Sequence, residues 1–141
     1  MRLAAVISAK NNIEVEYVDT SDLQALKAAV RENTKAIYFE TPTNPMMHVT
    51  DIRAATEIAK EAGALLIVDN TFMTPYFQNP LSLGADVVIH SGTKYLSGHN
   101  DTICGFLCSK DQKLAQHFRL ISKTTGGTLA PFESWLCLRG L

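Results

Sequence analysis

The sequence predicts an α/β fold: a three-layer sandwich in which helices cover a mostly parallel β-sheet. Strand-like and helix-like segments alternate from residue 35 to residue 90, which is typical of parallel sheets. Residues 64–68 are apolar at every position, as expected of a central strand that is covered on both faces. The length of 141 residues is that of one ordinary domain.

The strands are predicted where apolar and β-branched residues cluster or alternate between turn signals. They are residues 13–18, 35–39, 64–68, 87–90 and 102–109. The last strand follows its predecessor too closely for a crossover connection, which needs about a dozen residues or more. We therefore expect this last strand to be antiparallel to its neighbour.

The helices are predicted from apolar residues at helical spacing and from capping residues. Residues 1–10 resemble the end of a helix whose beginning is missing. Gly63 is expected to end the helix that begins at Thr50 or Asp51. Residues 74–83 are expected to form an ordered loop with a short helix. The other helices should begin at Ser21 or Asp22, Thr50 or Asp51, Asp111, and Thr128 or Pro131.

Composition excludes several classes of function. The net charge of −1 gives no electrostatic basis for binding nucleic acid or a membrane surface. No apolar run reaches the roughly 20 residues of a membrane-spanning helix, and no secretory signal is recognisable, so a cytoplasmic protein is expected. The three cysteines form no disulfide or zinc pattern, and no metal site is expected.

Polar residues follow three of the predicted strands. They are Asn44, in a loop with two prolines, then Asp69, and then the cluster of Ser91, Thr93 and Lys94. In open α/β sheets, ligands bind outside the carboxyl ends of the strands. A rigid turn would also explain Asn44, and a capping or turn role would explain Asp69. The order of these residues on an α/β frame favours a binding site.

These residue types suit pyridoxal 5′-phosphate (PLP). Lys94 can form a Schiff base with the aldehyde, and Asp69 can keep the ring nitrogen protonated, so that the ring withdraws electrons. Ser91 and Thr93 can bind the phosphate through hydroxyl and backbone N–H groups. Asn44 can donate a hydrogen bond to the ring oxygen.

The chain also resembles a known family in several of its segments. The segments are ETPTNP (residues 40–45), VDNT (68–71), HSGTKYLSGHND (90–101) and the stretch 122–141. They are similar to the Cys/Met-metabolism family of PLP-dependent enzymes, which includes cystathionine γ-synthase, cystathionine β- and γ-lyases and methionine γ-lyase. The resemblance implies PLP-dependent transferase fold type I. It also implies that Lys94 holds the cofactor, Asp69 pairs with the ring nitrogen, Ser91 and Thr93 bind phosphate, and Asn44 contacts the ring oxygen or the substrate.

The resemblance further implies a carbon–sulfur lyase of transsulfuration that acts on a sulfur amino acid. A γ-replacement transferase such as cystathionine γ-synthase and a catalytically inactive fragment are the alternatives. Residues 1–141 would be part of a PLP-binding large domain, without the family's N-terminal segment and C-terminal domain. We therefore expect this polypeptide alone to bind PLP weakly. A homo-oligomer, a dimer or tetramer, is expected of the full-length family.

Overall fold

The computed structural model describes Ser8 and residues 10–141, and in that part of the chain a four-stranded sheet is accompanied by five α-helices. The strands are β1 (Ala36–Glu40), β2 (Leu65–Asp69), β3 (Val87–Ser91) and β4 (Gly105–Cys108). The helices are α1 (Leu23–Ala29), α2 (Ile52–Glu61), α3 (Thr74–Phe77), α4 (Gln112–Thr125) and α5 (Pro131–Gly140). Most of the predicted helix end in residues 1–10 lies outside the described residues.

The sheet has the order β1-β2-β3-β4, and its first three strands are parallel. Strand β4 pairs antiparallel with β3, so the prediction made from the short connection is confirmed. Tyr38 of β1 lies opposite Ile67 of β2, and Asp69 of β2 lies opposite Ile89 of β3. The predicted α/β class with a mostly parallel sheet is therefore confirmed.

The two faces of this sheet differ. On the face that we call the packed face, alternate strand residues join α1 and α2 in one apolar core; its strand members are Ile37, Phe39, Leu66, Val68 and Val88. The opposite face, which we call the open face, carries Tyr38, Ile67, Asp69, Ile89 and Ser91. These side chains are partly buried or exposed, and Tyr38 retains 56% of its accessible surface, whereas Val87, opposite Ile67 on the same face, is buried. The described residues thus cover one face of β2 completely and the other face only in part.

Aspartates begin three of the helices, as expected from their positions in the sequence. Asp22, Asp51 and Asp111 each accept hydrogen bonds from two backbone N–H groups in the first turn of α1, α2 and α4. Thr50, the alternative to Asp51, is buried and donates its backbone N–H to Thr41 Oγ1 instead. Helix α4 extends to Thr125, and Gly126 ends it with φ 78°.

The predicted strand at residues 13–18 is wrong, because this segment does not belong to the sheet. Its apolar residues Ile13, Val15 and Tyr17 are exposed, and Glu16 pairs with Arg31 at 2.6 Å. Alternating apolar residues favour a strand only where a neighbouring strand supplies hydrogen bonds. Among the helices in the described part of the chain, none is long and apolar enough to cross a bilayer.

Candidate functional site

The carboxyl ends of β2 and β3 lie side by side and bring Asp69 and Ser91 to the open face. Thr71 joins the two strand ends. Its backbone N–H donates to Asp69 Oδ1 at 2.9 Å, and its Oγ1 accepts from the backbone N–H of Ser91 at 2.7 Å. The turn after Asp69 is therefore fixed to the start of residues 92–98, the segment around Lys94 that we call the lysine loop.

Lys94 lies in a turn that begins where β3 ends. Its backbone N–H donates to the Ser91 carbonyl at 3.1 Å, and its own carbonyl accepts from the Gly98 N–H at 2.9 Å. The side chain is exposed, and no residue that the structure describes pairs with its amine. The ring of Tyr95 meets that of Phe72 edge-on, with centroids 6.5 Å apart. This contact connects the lysine loop with the turn after Asp69 a second time.

Residues of β4 and of the segment before it pack against the lysine loop. A Cβ atom at Gly92 would lie 2.5 Å from Phe106 Cε2 and 2.6 Å from Cys104 Sγ, so only glycine fits without displacement. The Thr93 hydroxyl accepts from the Cys104 N–H at 3.0 Å and donates to the Cys104 carbonyl at 3.2 Å. A hydroxyl has a single proton to donate. Thr93 would have to turn that proton away from Cys104 to bind a phosphate through its side chain.

Asp69 has a second hydrogen-bond donor on the open face. The Tyr38 hydroxyl lies 3.3 Å from Asp69 Oδ2 and donates to it. Partial burial, together with the negative charges of Asp69 and Glu40, raises the pKa of Tyr38 to about 12. Sequence reasoning missed both Tyr38 and Thr71. The spacing of Thr71, two residues after an aspartate, indicates an Asx-type turn, whereas Tyr38 requires knowledge of the register between β1 and β2.

Asn44 lies in the exposed loop after β1, where the Thr41–Pro42 and Asn44–Pro45 peptide bonds are cis. No hydrogen bond of the described residues joins Asn44 to the Asp69 turn or the lysine loop. The loop is nevertheless tied to the neighbouring strand end through Gln78. Its Nε2 donates to the Thr41 carbonyl at 3.2 Å and to Asn70 Oδ1 at 2.8 Å. The structure thus brings together Asp69, Ser91 and the lysine loop, with Asn44 on a connected but exposed loop.

His90 belongs to the packed face, although it directly precedes Ser91. It is buried, and its Nδ1 has no hydrogen-bond partner in the part of the chain that the structure describes. Burial lowers the pKa of the His90 imidazole, and the charge of Asp69 opposes that change. Within the described residues, no three histidine, cysteine or acidic side chains are grouped so that they could hold a metal ion.

The polar groups around the open face fit PLP. Lys94 supplies an exposed amine for an aldehyde, Asp69 a partly buried carboxylate for a protonated ring nitrogen, and Ser91 a hydroxyl for a phosphate. The carboxylate already accepts from Thr71 and Tyr38, and each of its oxygens retains a further lone pair. All three groups follow or end adjacent parallel strands, where ligands of α/β sheets bind.

A comparison with known proteins identifies the family. The sequence model of the family described as Cys/Met metabolism PLP-dependent enzyme matches residues 1–141. The chain belongs to this family. The resemblance and the cofactor predicted from the residues are thereby confirmed at the level of the family.

Individual relatives include both lyases and a synthase. Cystathionine gamma-lyase of Bacillus subtilis is 53% identical over 129 residues, which cover 92% of this chain and 34% of the relative. Cystathionine gamma-synthase of Haemophilus influenzae is 49% identical over 136 residues, with 95% and 37% covered. The crystal structure of cystathionine gamma-lyase from Lactobacillus plantarum, complexed with L-serine, matches with a TM-score of 0.96 at 45% identity, covering 99% of this chain and 36% of the other. The chain therefore spans about a third of the length of these relatives.

Proposed function

We propose that the protein containing this chain is a PLP-dependent carbon–sulfur lyase that acts on cystathionine or a related sulfur amino acid. The observation that carries the proposal is the hydrogen-bonded arrangement of Asp69, Thr71 and Ser91 at the start of the Lys94 loop. It supplies a carboxylate, a hydroxyl and an amine at one edge of the sheet, in a chain of a PLP-dependent family.

Each side chain has a role in this proposal. The Lys94 amine holds the cofactor through a Schiff base, and the Asp69 carboxylate keeps the ring nitrogen protonated. Ser91 and Thr93 bind the phosphate, and Asn44 contacts the ring oxygen or the substrate. The bound cofactor supplies an electron sink for the carbanion that forms at the substrate Cα. The charge of Asp69 favours that sink because it stabilises the protonated ring nitrogen.

Lys94 also moves protons in the proposed reaction. With cofactor and substrate bound, the Lys94 amine, no longer engaged in holding the cofactor, would accept the proton from the substrate Cα. The same amine then returns protons as the carbon–sulfur bond breaks and a thiol leaves. Water then hydrolyses the imine that remains, and ammonia and a keto acid are released. An exposed lysine on a turn fixed at both ends suits this exchange, since the amine must reach two positions.

A γ-replacement transferase of the cystathionine γ-synthase type is the second candidate, because relatives of both kinds match this chain at similar identity. Product analysis separates the two. A lyase releases keto acid and ammonia from cystathionine, whereas a synthase forms cystathionine from an activated homoserine and cysteine.

We further propose that residues 1–141 are part of a PLP-binding large domain, and that residues outside this chain complete the site. The length of the relatives and the partly covered open face support this. A homo-oligomer and a cytoplasmic location are proposed with it, and the free thiols of Cys104, Cys108 and Cys137 suit a reducing compartment. An inactive fragment is the alternative for the 141-residue chain by itself.

The test is the visible absorbance, with PLP, of the protein expressed at the full length of its natural reading frame, measured for wild type, Lys94→Ala and the exposed control Lys113→Ala. We expect the band of lysine-bound cofactor in wild type and Lys113→Ala and its complete loss in Lys94→Ala. Borohydride reduction followed by peptide mass spectrometry should find the cofactor on the peptide that contains Lys94. A band that persists in Lys94→Ala would exclude the assigned role of this lysine.

A further inference from the structure

We propose that Tyr38 is a positioning residue for Asp69: its hydroxyl holds the carboxylate in the orientation that meets the ring nitrogen of PLP. The inference rests on the proposed function, since it assigns a residue that acts on the cofactor through Asp69. Tyr38 lies outside the four segments on which the resemblance in the sequence analysis rests, and it reaches the site from the neighbouring strand.

The sheet register brings the two side chains together. Tyr38 lies opposite Ile67, and Asp69 is two residues further along β2 on the same face. A diagonal neighbour of this kind is within reach of a long aromatic side chain. The Tyr38 hydroxyl meets Asp69 Oδ2 at 3.3 Å.

The contact completes the support of the carboxylate. The backbone N–H of Thr71 binds Oδ1 at 2.9 Å, and the Tyr38 hydroxyl binds Oδ2. Two donors on different oxygens, one from β1 and one from the turn after β2, fix the plane of the carboxylate. Because the two carboxylate oxygens have about four acceptor sites in all, one site remains on each oxygen, and either can accept a hydrogen bond from a protonated ring nitrogen.

A phenol suits this role better than a cation would. Lysine or arginine beside Asp69 would compete with the ring nitrogen for the negative charge, whereas a neutral hydroxyl orients the carboxylate and leaves its charge in place. Partial burial and the charges of Asp69 and Glu40 raise the pKa of Tyr38 to about 12. The hydroxyl therefore remains a donor at every pH at which the enzyme would work.

The competing explanation is that Tyr38 is a packing residue of the open face. In that case the ring of Tyr38 would affect cofactor binding through packing, and its hydroxyl would have no effect. Tyr38→Phe keeps the ring and removes only the oxygen, so it separates the two roles. Tyr17→Phe is the matched control, because Tyr17 is exposed and lies outside the sheet.

The experiment compares the dissociation constants of two cofactors, with the protein expressed at the full length of its natural reading frame. One is PLP, and the other is 1-deazapyridoxal 5′-phosphate, in which carbon replaces the ring nitrogen. We expect Tyr38→Phe to weaken PLP binding by roughly fivefold and binding of the deaza analogue by less than about twofold. In an Asp69→Asn background, Tyr38→Phe should change PLP binding by less than about twofold, because the carboxylate that Tyr38 orients is gone. Tyr17→Phe should change neither constant.

The outcomes separate this inference from the proposed function. Equal weakening of both cofactors by Tyr38→Phe would show a packing role and overturn the inference, and so would the absence of any change. A loss that is the same in wild-type and Asp69→Asn backgrounds would overturn it as well. If the wild-type protein binds no PLP, the proposed function fails first, without any Tyr38 variant.

Discussion

The packed face and the open face are built from the same three parallel strands, yet adjacent residues meet very different surroundings. On β2, Leu66 and Val68 are completely buried, whereas Ile67 and Asp69 between and after them keep part of their surface. The packed face is an apolar core against α1 and α2. The open face carries Asp69, Tyr38 and Ser91, whose contacts are mainly hydrogen bonds.

This difference separates stability from chemistry. Side chains of the packed face contribute to stability through their volume, because a core is close-packed. Side chains of the open face contribute to cofactor binding through their hydrogen-bonding groups and charges. Residues of the two faces are adjacent at the end of β3, where His90 and Gly92 on the packed face flank Ser91 on the open face. Substitutions on each face should therefore change different measured quantities, and substitutions at that meeting point should change both.

The largest effect is expected from Leu66→Ala compared with Ile67→Ala. Leu66 is completely buried, and removing its side chain should lower the free energy of unfolding by about 3 kcal/mol. Ile67 faces the partly covered side, so the same truncation should lower it by about 1 kcal/mol or less. Urea denaturation followed by circular dichroism measures both. Equal losses would contradict the distinction between the faces.

Gly92→Ala is expected to have the next largest effect and to reach both faces. The added Cβ would lie 2.5 Å from Phe106 Cε2, so the ring or the loop must move, at a cost of about 2 kcal/mol. Because Lys94 follows two residues later, binding of PLP should weaken as well. Gly127→Ala is the control, since its Cβ would be 3.7 Å from Thr125 Oγ1, an ordinary contact. The idea fails if Gly92→Ala is as stable as that control.

Much of the fold follows from local signals in the sequence. The aspartates that begin α1, α2 and α4 were predictable because capping depends on only the next few residues. The antiparallel β4 followed from the length of one connection. Residues 13–18 show the limit of such signals, because pairing with another strand is not a local property. The apolar run at 64–68 likewise indicated cover on both faces, and the described residues provide it on one.

The candidate site was predictable where a motif and a strand end coincide. Lys94, Asp69 and Ser91 all follow from that rule, and their roles stay predictions that the absorbance and binding experiments test. Tyr38 was out of reach of the sequence, because its contact with Asp69 depends on the register of two strands about 30 residues apart. Thr71 was within reach, as part of an Asx-type turn after Asp69, but its bond to the Ser91 N–H again depends on tertiary structure.

The smallest effect is expected from pH, through His90 on the packed face. Burial lowers the pKa of His90 in the folded protein below its unfolded value, which is about 6.5. Above that value both states are neutral, and the contribution of His90 to stability is complete. As the pH falls, the unfolded state takes up the proton first, and stability is lost down to the folded pKa. The slope cannot exceed about 1.4 kcal/mol per pH unit, the value for one proton.

The measurement is the free energy of unfolding between about pH 7.5 and about pH 5.5, for wild type, His90→Gln and the exposed control His117→Gln. Wild type and His117→Gln should lose more stability over this range than His90→Gln, because only the last lacks the buried imidazole. The carboxyl groups contribute equally to all three curves and cancel in the comparison. Parallel curves for wild type and His90→Gln would mean that the imidazole can be protonated without leaving the core. The packed face would then tolerate a charge, and its contrast with the open face would be one of packing alone.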